Sequence, residues 1–286
     1  MAKARKRALV LGGGGVAGIA WETGVLFGLA EGGIDPLAAD LLVGTSAGAA
    51  VAAQISSGVQ LAELYDKHAF PQEESSELTV DFDAEKMMAE LVPLLTRREP
   101  GQEMRAAIGS YALAAATVPE RRRREVIEAR LPSHEWPDRP LRIVAVDAAT
   151  GEERVFSPAD AETVPLVDAV AASCAVPGIW PPVTIDGRRY VDGGIRSSTN
   201  LDLADGNDVV LVLAPVADLG PLEPAVAKVA SRLEKRKSTV VVRPDEASLA
   251  AMGSNPLDPA TARPSAQAGR AQAAALLDDV RAIWSD

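Results

Sequence analysis

The sequence predicts an α/β fold with three layers, α/β/α, in which helices cover both faces of a mainly parallel central sheet. The chain begins with a strand–helix–strand–helix pattern, which is typical of parallel sheets. Its strand candidates are short continuous apolar runs, as expected where both faces of a strand are buried. With 47% hydrophobic and 24% charged residues in a chain of 286, the composition is that of a globular protein with a sizeable core.

The first four elements follow from local patterns. The apolar run at 8–11 predicts a strand, which the following glycine cluster ends. A helix is predicted at about 18–31, where three large apolar residues recur four apart on one face. A second strand at 40–43 and a second helix from 44 to about 57 complete the opening pattern.

The rest of the chain combines a helical segment with further strands. Residues 61–131 contain helical patterns and no convincing strand, so we expect a helical insertion between strands. The later strands are predicted at 141–147, 154–156, 183–185, 190–191, 209–213 and 238–242, with a hairpin turn at the Asp-Gly pair 186–187. Residues 244–269 are rich in Pro, Ser, Ala and Asn and are predicted to be irregular, whereas 270–284 is predicted to form a closing helix.

We expect the whole chain, 1–286, to form a single domain. Its core is predicted over about 8–215, interrupted by the helical insertion at about 61–131. A C-terminal helical segment is predicted at about 221–286, and the sequence contains no internal repeat.

Scarce residue types and the net charge exclude several kinds of site. The single cysteine, Cys174, excludes an intramolecular disulfide, and with only two histidines, His68 and His134, no metal site is predicted. The net charge of −11 argues against a nucleic-acid partner.

The basic start, Lys3 to Arg7, leads into an apolar run too short for a signal peptide, and no window has the apolar length of a membrane span. A cytoplasmic location is therefore expected, with peripheral contact to a membrane left open.

The segment GTSAG, Gly44 to Gly48, places a serine between a predicted strand and a predicted helix. In a G-x-S-x-G motif, a tight strand-to-helix turn exposes the serine oxygen at the edge of the sheet. The glycines on either side let the neighbouring strand and helix approach closely, and the helix N-terminus favours negative charge. An ordinary glycine-rich turn can have the same five letters, but the strand–helix context favours Ser46 as a nucleophile.

A glycine-rich loop, Gly12 to Gly18, joins the first predicted strand to the first predicted helix, and its N–H groups can converge on an anion. Gly13, Gly15 and Gly18 satisfy G-x-G-x-x-G, so the anion is either a dinucleotide pyrophosphate or the oxyanion of acyl transfer. A dinucleotide-binding oxidoreductase would need an acidic residue at the end of the second strand, where Ser46 stands. The loop is therefore paired with Ser46, and dinucleotide binding is kept as the alternative.

A serine nucleophile needs a base, and the order of residues in the chain disfavours a histidine. The familiar triads combine serine, aspartate and histidine, yet His134 is the last histidine and none follows Asp192. Asp192 follows a predicted strand and precedes Gly193 and Gly194, which puts its carboxylate on an uncrowded turn. Taken alone, this segment is an ordinary Asp-Gly turn.

Together these motifs resemble those of the patatin-like phospholipases, a family whose serine–aspartate dyad dispenses with histidine. The family's marks are an N-terminal G-x-G-x-x-G loop, a G-x-S-x-G elbow and a later D-G-[AG]. They correspond here to Gly13 to Gly18, Gly44 to Gly48 and Asp192 to Gly194, in the same order. The segment 172–183 before the aspartate is also similar to the family, and the similarity extends over about 8–215.

The resemblance implies a patatin-like fold and a lipid acyl hydrolase, either a phospholipase or a lipid esterase, that uses no cofactor. It implies that Ser46 is the nucleophile and Asp192 the proton acceptor. Its implied substrate is a lipid or phospholipid ester. The implied oxyanion hole consists of backbone N–H groups at Gly13, Gly14, Gly15 and Val16.

One departure from the family concerns the glycine-rich loop. The family usually carries Arg or Lys just before the last glycine of the loop, whereas this chain has Ala17 there. A catalytically silent relative that binds lipid or a protein partner is therefore a further alternative.

Three other features have plainer explanations. The run Arg121 to Arg124 could contact anionic headgroups, but its spacing to later glutamates favours a solvated, partly paired helix face. Nothing near Cys174 would activate a thiolate, so a buried small side chain is expected. The Met, Leu and Ala helices around 84–116 are expected mainly to pack the core.

Overall fold

The structure is a computed structural model that describes residues 5–70, 77–79 and 84–284. The strands of this part of the chain are β1 (Arg7–Leu11), β2 (Leu41–Thr45), β3 (Leu141–Asp147), β4 (Glu153–Phe156), β5 (Val183–Ile185), β6 (Arg188–Asp192), β7 (Val209–Leu213) and β8 (Thr239–Val242). The α-helices are α1 (Gly15–Glu31), α2 (Ala47–Ile55), α3 (Leu61–Ala69), α4 (Ala84–Thr96), α5 (Gln102–Ala114), α6 (Glu120–Arg130), α7 (Leu166–Ser173), α8 (Pro224–Glu234), α9 (Glu246–Met252) and α10 (Ala262–Trp284). No helix among the described residues is both long enough and apolar enough to cross a membrane.

These strands form one sheet with a parallel core. Successive hydrogen-bonded strands follow the order β5-β6-β3-β2-β1-β7-β8, and β4 also pairs with β3. The strands β3, β2, β1, β7 and β8 run parallel to one another, whereas β4, β5 and β6 join through antiparallel pairs. The mainly parallel sheet predicted from the sequence is confirmed, with an antiparallel extension beyond β3.

The pairing of β3 brings the ends of β2 and β6 together. Thr45, the last residue of β2, lies opposite Val144, and Asp192, the last residue of β6, lies opposite the next residue, Ala145. The strand β4 pairs with both Val144 and Ala145, so it occupies the other edge of β3. Because β2 and β6 approach along the same edge from opposite directions, the residue after Thr45 meets Asp192.

Helices cover both faces of the sheet and give the predicted α/β/α layers. Leu9 and Leu11 of β1 belong to a large apolar cluster that contains residues of α1, α2, α7 and α10. The alternate residues of β1, Ala8 and Val10, belong to a second cluster with Leu233 of α8. Since successive side chains of a strand point to opposite faces, the two clusters lie on opposite sides of the sheet.

The helical insertion consists of α3 to α6, and no described residue of 61–131 lies in a strand. Helices α4 and α5 contribute Leu91 and Ile108 to an apolar cluster with Val146 of β3. Val146 shares a face of β3 with Val144, so this cluster lies on the same side as α8. The helix α6 instead contributes Ile127 to the cluster around α1. The insertion therefore contributes helices to both layers.

The prediction of an irregular segment at 244–269 is wrong over much of its length. The helix α9 lies within it, and α10 begins at Ala262, eight residues before the predicted start. The side chain of Asp245 caps α9 by accepting a hydrogen bond from the N–H of Ser248 at 2.8 Å. Pro264 falls in the first turn of α10, where a missing N–H costs no hydrogen bond. Helix α1 likewise begins three residues earlier than predicted, at Gly15, and α7 was not predicted individually.

Candidate active site

Ser46 is the residue between β2 and α2, at the carboxyl end of a central parallel strand. Its backbone has φ 53° and ψ −115°. A non-glycine residue pays about 1–3 kcal/mol for a conformation in this sparsely populated region. Such a conformation is typical of a nucleophile elbow, in which a sharp strand-to-helix turn presents the serine oxygen.

The glycines of the GTSAG segment make this turn sterically possible. A Cβ at Gly48 would overlap the carbonyl group of Leu11 in β1, and one at Gly44 would lie 2.6 Å from the Cα of Ala49. The first approach packs α2 against the neighbouring strand, and the second packs α2 against its own strand. Larger residues at either position would force α2 away from the sheet.

The backbone of Ser46 is held on both sides by the segment that ends α7. Its N–H donates to the hydroxyl oxygen of Ser173 at 2.9 Å, and its carbonyl accepts a hydrogen bond from the thiol of Cys174 at 3.2 Å. The hydroxyl of Ser173 in turn donates to the carbonyl oxygen of Val144 at 2.6 Å. The elbow is therefore tied to β3 by side chains from a distant part of the chain.

Asp192 lies beside Ser46. Its buried carboxylate accepts a hydrogen bond from the backbone N–H of Gly194 at 2.8 Å and interacts with the Ser46 hydroxyl. Burial raises the pKa of Asp192 to about 6, although the Ser46 hydroxyl and the Gly194 N–H act to lower it. A carboxylate with this pKa is mostly ionised at neutral pH and a stronger base than an exposed aspartate.

Asn200, which the sequence analysis did not identify, connects the two segments that carry Ser46 and Asp192. It is fully buried, with φ 50°, and its side-chain N–H groups donate to Thr45 Oγ1 at 3.0 Å and to the Gly193 carbonyl at 3.3 Å. Asparagine tolerates the left-handed conformation better than most residues. Its local sequence gave no other indication of this role, because the contacts span up to 155 positions.

The glycine-rich loop lies beside Ser46, at the N-terminus of α1. Gly15 and Val16 line the same cavity as Ser46, and a Cβ at Gly13 would lie 3.6 Å from that of Ser46. Within the described residues, the N–H groups of Gly14, Gly15 and Val16 have no hydrogen-bond acceptor. These N–H groups lie at the N-terminus of α1, the positive end of the helix dipole, where they can bind an anion.

The N–H of Gly13 differs from those of the next three residues, because it donates to the carbonyl oxygen of Ser198 at 2.8 Å. With its donor already occupied, Gly13 does not fit the oxyanion role expected for it. The N–H of Gly12 also has an acceptor in Oε1 of Glu22, at 2.8 Å. Glu22, a further residue that was not predicted, is fully buried, and burial raises its pKa well above the usual range.

Two adjacent cavities adjoin these groups. The first, of about 20 Å³, has room for one water molecule and is lined by Ser46, the loop, and Arg123 and Trp180. The second, of about 60 Å³, is apolar, and side chains of α4 and α5 line it together with Gly194. Val176 lines both cavities, and Gly194, two residues after Asp192, lines the second one.

The histidines and the cysteine lie in different surroundings, and burial lowers the pKa of His68 to about 4. Neither His68 nor His134 is among the described residues that line the cavity of Ser46, and His134 is about half exposed beside Glu128. Burial raises the pKa of the Cys174 thiol to about 11, so this side chain is neutral at pH 7. The part of the chain that the structure describes contains no group of three or more His, Cys, Asp or Glu arranged to hold a metal ion.

The run of four arginines on α6 divides between surface and interior. Arg121 and Arg122 each lie 3.1 Å from Glu125, and Arg124 also pairs with carboxylates, in agreement with a solvated helix face. Arg123 is buried and lines the cavity of Ser46. The expected surface location is therefore wrong for this one arginine, because its helical position matches the buried face of α6.

A sequence model of the family "Patatin-like phospholipase" matches residues 9–205. The chain belongs to this family. The matched range begins within β1 and ends between β6 and β7, so it includes the glycine-rich loop, the GTSAG elbow and Asp192. Membership in the patatin-like phospholipase family implies a hydrolase that acts on lipid acyl esters. The alternatives predicted from the sequence, a dinucleotide-binding oxidoreductase and a silent lipid-binding relative, receive no support from the match.

Three solved structures of bacterial proteins are similar to this patatin-like chain. VipD from Legionella pneumophila has 15% sequence identity and a TM-score of 0.47, with 96% of this chain and 67% of the other covered. The type III effector protein ExoU has 18% identity and a TM-score of 0.39, with 94% and 53% covered. A chain of the SpcU–ExoU complex from Pseudomonas aeruginosa has 18% identity and a TM-score of 0.45, with 99% and 54% covered. The chain thus spans two thirds of VipD and about half of the other two.

Proposed function

We propose that this patatin-like chain is a serine acyl hydrolase that cleaves carboxylic esters of lipids with Ser46 and Asp192. The observation that carries the proposal is the placement of Ser46, on a strained strand-to-helix turn, beside the buried carboxylate of Asp192. A nucleophile beside a base of raised pKa is the arrangement that acyl transfer needs.

In the proposed first step, Asp192 accepts the proton of Ser46 while Oγ attacks the carbonyl carbon of the ester. The tetrahedral intermediate then collapses, and Asp192 returns the proton to the departing alcohol. In the second step Asp192 takes a proton from the water that attacks the acyl-serine, then returns it to Ser46 Oγ as the C–O bond to the serine breaks and the free fatty acid leaves. The reaction uses no metal and no cofactor.

The oxyanion of each tetrahedral intermediate would bind to the loop at the N-terminus of α1. Gly14, Gly15 and Val16 offer N–H groups without an acceptor in the described chain, and the helix dipole favours the negative charge there. Gly13 supports the loop instead, through its hydrogen bond to Ser198. The proposed oxyanion hole therefore has three N–H donors, one fewer than the resemblance implied.

The acyl chain of the substrate would occupy the apolar cavity beside Gly194. Leu91 and Ile108, from α4 and α5, line this cavity, as does Leu219, of which about half is exposed. These apolar side chains fit a hydrocarbon chain. Two charged residues also line the cavity: Arg196, which pairs with Asp202, and Asp218, which accepts a hydrogen bond from the N–H of Ser198. Leu219 gives the cavity an exposed apolar rim. A cytoplasmic location with peripheral contact to a membrane remains part of the proposal.

The proposal also treats residues 1–286 as one working unit. The helix α10 packs along α1, where a Cβ at Gly24 would overlap the carbonyl of Ala266. Because α1 begins with the glycine-rich loop, the C-terminal helix supports the element that carries the proposed oxyanion hole. A partner made of nucleic acid is not part of the proposal, given the net charge of −11.

The test is hydrolysis of a chain-length series of esters and phospholipids by the full chain, with Ser46→Ala and Asp192→Asn as variants. Labelling by a fluorophosphonate should depend on Ser46, and turnover should require both residues while far-ultraviolet circular dichroism stays unchanged. Full activity in a folded Ser46→Ala protein would refute the nucleophile, and full activity in Asp192→Asn would refute the base. Labelling at Ser46 without turnover of any ester would favour the silent lipid-binding alternative.

A further inference from the structure

Arg123 is a buried cation in the cavity that holds Ser46. Its side chain is 8% exposed, whereas that of Arg122, the residue before it on α6, is 62% exposed. Ser46, Gly15 and Val16 line the same cavity, and the last two supply N–H groups of the proposed oxyanion hole. The glycine-rich loop has no charged side chain of its own, so the positive charge at this cavity comes from the helical insertion.

The guanidinium of Arg123 makes no hydrogen bond with the part of the chain that the structure describes. Its Nε and Nη1 atoms are buried, and the carboxylate of Glu77 lies 3.8 Å from Nη1, beyond hydrogen-bond distance. Glu77 instead binds Arg130, through hydrogen bonds of 2.7–2.9 Å. The third nitrogen, Nη2, is not sealed by its neighbours, so it is the donor that an oxygen atom in the cavity can reach. A buried charged donor without an acceptor is costly, which indicates that such an oxygen binds there.

The size of the cavity restricts its occupant to one oxygen atom. A volume of about 20 Å³ holds one water molecule and excludes a phosphate or a carboxylate group. The oxyanion of a tetrahedral intermediate is a single oxygen atom of similar size to water. Because Ser46 and the N–H groups of Gly15 and Val16 line the cavity, the oxygen that fits it is the one bound to the carbon that Ser46 attacks.

The charges around the cavity balance before the reaction and would stay balanced during it. The guanidinium groups of Arg123 and Arg130 face the carboxylate of Glu77, and Asp192 lies beside Ser46. In the proposed reaction Asp192 becomes neutral when it takes the proton of Ser46, and one negative charge appears on the oxyanion. The negative charge thus moves from a carboxylate outside the cavity to an oxygen atom within it, where Arg123 is a cation without a hydrogen-bond acceptor among the described residues.

Trp180 holds the Arg123 side chain in place. The central guanidinium carbon lies 3.8 Å from the centroid of the indole ring, in cation–π contact. Stacking occupies the face of the guanidinium and leaves the donors at its edge available. Burial and the charge of Arg130 lower the pKa of Arg123 to about 10, so the group stays charged at pH 7.

We propose that Arg123 is a further catalytic residue, whose guanidinium donates a hydrogen bond to the oxyanion beside the N–H groups of the glycine-rich loop. This inference rests on the proposed hydrolase activity of Ser46. The hydrogen bond forms as Ser46 Oγ adds to the carbonyl carbon and the π electron pair of the C=O bond moves to its oxygen. It weakens when that pair returns and the alcohol leaves. Arg123 keeps its proton throughout and acts on any ester, whatever its headgroup.

The first test measures hydrolysis of 4-nitrophenyl butyrate, a soluble and uncharged ester, so that binding of a charged substrate group plays no part. Arg123→Met replaces the cation with an apolar side chain and breaks no hydrogen bond between described residues. Its kcat/KM should fall about a hundredfold, as when an oxyanion-hole donor is removed, and its urea midpoint should not fall. Arg123→Lys should lose less, because it keeps the charge without the planar fork. Arg122→Gln, on the exposed side of the same helix, should match the wild type.

The second test measures the oxyanion itself, in the hemiketal that Ser46 would form with an alkyl trifluoromethyl ketone labelled with ¹³C at the carbonyl. The hydroxyl of this adduct would occupy the oxyanion position, and the chemical shift of the labelled carbon follows its ionisation. The pKa of that hydroxyl should be higher in Arg123→Met than in the wild type by about 2, which corresponds to a hundredfold loss of stabilisation of the charged form. Arg122→Gln should leave this pKa unchanged.

Other outcomes overturn the inference in different ways. An equal hemiketal pKa in Arg123→Met and the wild type would place the oxyanion beyond the reach of Arg123, and a lower urea midpoint with it would make the role structural. A fall in kcat alone, with kcat/KM and the initial burst of nitrophenol unchanged, would assign Arg123 to the water of the second step. If Arg123→Met does not fold, the same comparisons with Arg123→Gln decide. Absence of both Ser46-dependent hydrolysis and the ketone adduct in the wild type would instead refute the proposed function.

Discussion

The backbone N–H of Ser46 donates a hydrogen bond of 2.9 Å to the side-chain oxygen of Ser173, 127 positions later in the chain. Ser173 ends α7, and its own hydroxyl donates to the carbonyl of Val144 in β3. The strained turn at Ser46 is thus fixed from outside its own segment. Ser173 contacts neither the acyl carbon nor the oxyanion in the proposed reaction, so its role would be to position the nucleophile.

Ser173→Ala should therefore lower both the stability of the chain and the reactivity of Ser46. The substitution leaves the buried N–H of Ser46 without an acceptor, which costs about 1–3 kcal/mol. The free energy of unfolding, measured with urea, should fall by that amount, and the rate of fluorophosphonate labelling at Ser46 should fall with it. Ser110→Ala removes an exposed hydroxyl on α5 and is the control. An unchanged labelling rate in Ser173→Ala would contradict the positioning role.

The pH dependence of hydrolysis should follow the carboxylate of Asp192. Burial raises its pKa to about 6, and only the ionised form can accept the proton of Ser46. We expect kcat/KM to fall as the pH decreases through about 6, with a slope of one proton, and to level off above it. A pH profile of kcat/KM for a soluble ester measures this directly.

His134→Gln is the matched control for this profile, because histidine is the usual base of a serine nucleophile. His134 is partly exposed, and it is not among the described residues that line the cavity of Ser46. The variant should keep the acidic limb of the wild type. Loss of that limb in His134→Gln would assign the base to the histidine and reject Asp192.

The apolar cavity should set the length of the acyl chain. Ile108, a buried residue of α5, lines it, so Ile108→Phe would fill part of the space with a larger side chain. Added core volume costs about 1–3 kcal/mol of stability, which the fold can absorb. The ratio of kcat/KM for an octanoyl ester to that for an acetyl ester should fall by about tenfold, since each buried CH₂ contributes about 0.8 kcal/mol. An unchanged ratio would show that the acyl chain binds elsewhere.

Much of the fold and the two principal site residues could be predicted because their patterns are local. Ser46 lies inside a five-residue motif between a strand and a helix, and Asp192 precedes two glycines after a strand. The contact between them depends on tertiary structure. It arises because Thr45 and Asp192 pair with consecutive residues on one edge of β3, and no local pattern specifies that register.

Arg123 shows a pattern that could have been recognised. Four arginines in a row, with glutamates four positions on, indicate a solvated helix face. Yet Arg123, Val126, Ile127 and Arg130 recur at helical spacing, and the first three are buried along one side of α6. Glu22 and Asn200 could not be found in this way, because their partners are set by the packing of separate elements.

Glu22→Gln should change how stability depends on pH. Oε1 of Glu22 accepts the N–H of Gly12, and burial raises the pKa of this carboxyl well above its usual range. In the unfolded chain the pKa is about 4.3, so above that pH the folded state retains a proton that the unfolded state has released. The wild type therefore loses stability as the pH rises from about 4.3 toward the folded pKa, by up to about 1.4 kcal/mol per pH unit.

The glutamine in Glu22→Gln keeps an oxygen that can accept the N–H of Gly12 and has no proton to lose, whereas Asp192 titrates equally in both proteins. The free energy of unfolding of Glu22→Gln relative to the wild type should thus increase with pH in urea titrations. The difference in the free energy of unfolding between the two proteins could instead stay constant, within experimental error, from about pH 4 to about pH 8. That result would mean that Glu22 titrates normally and does not hold the loop as a neutral acid.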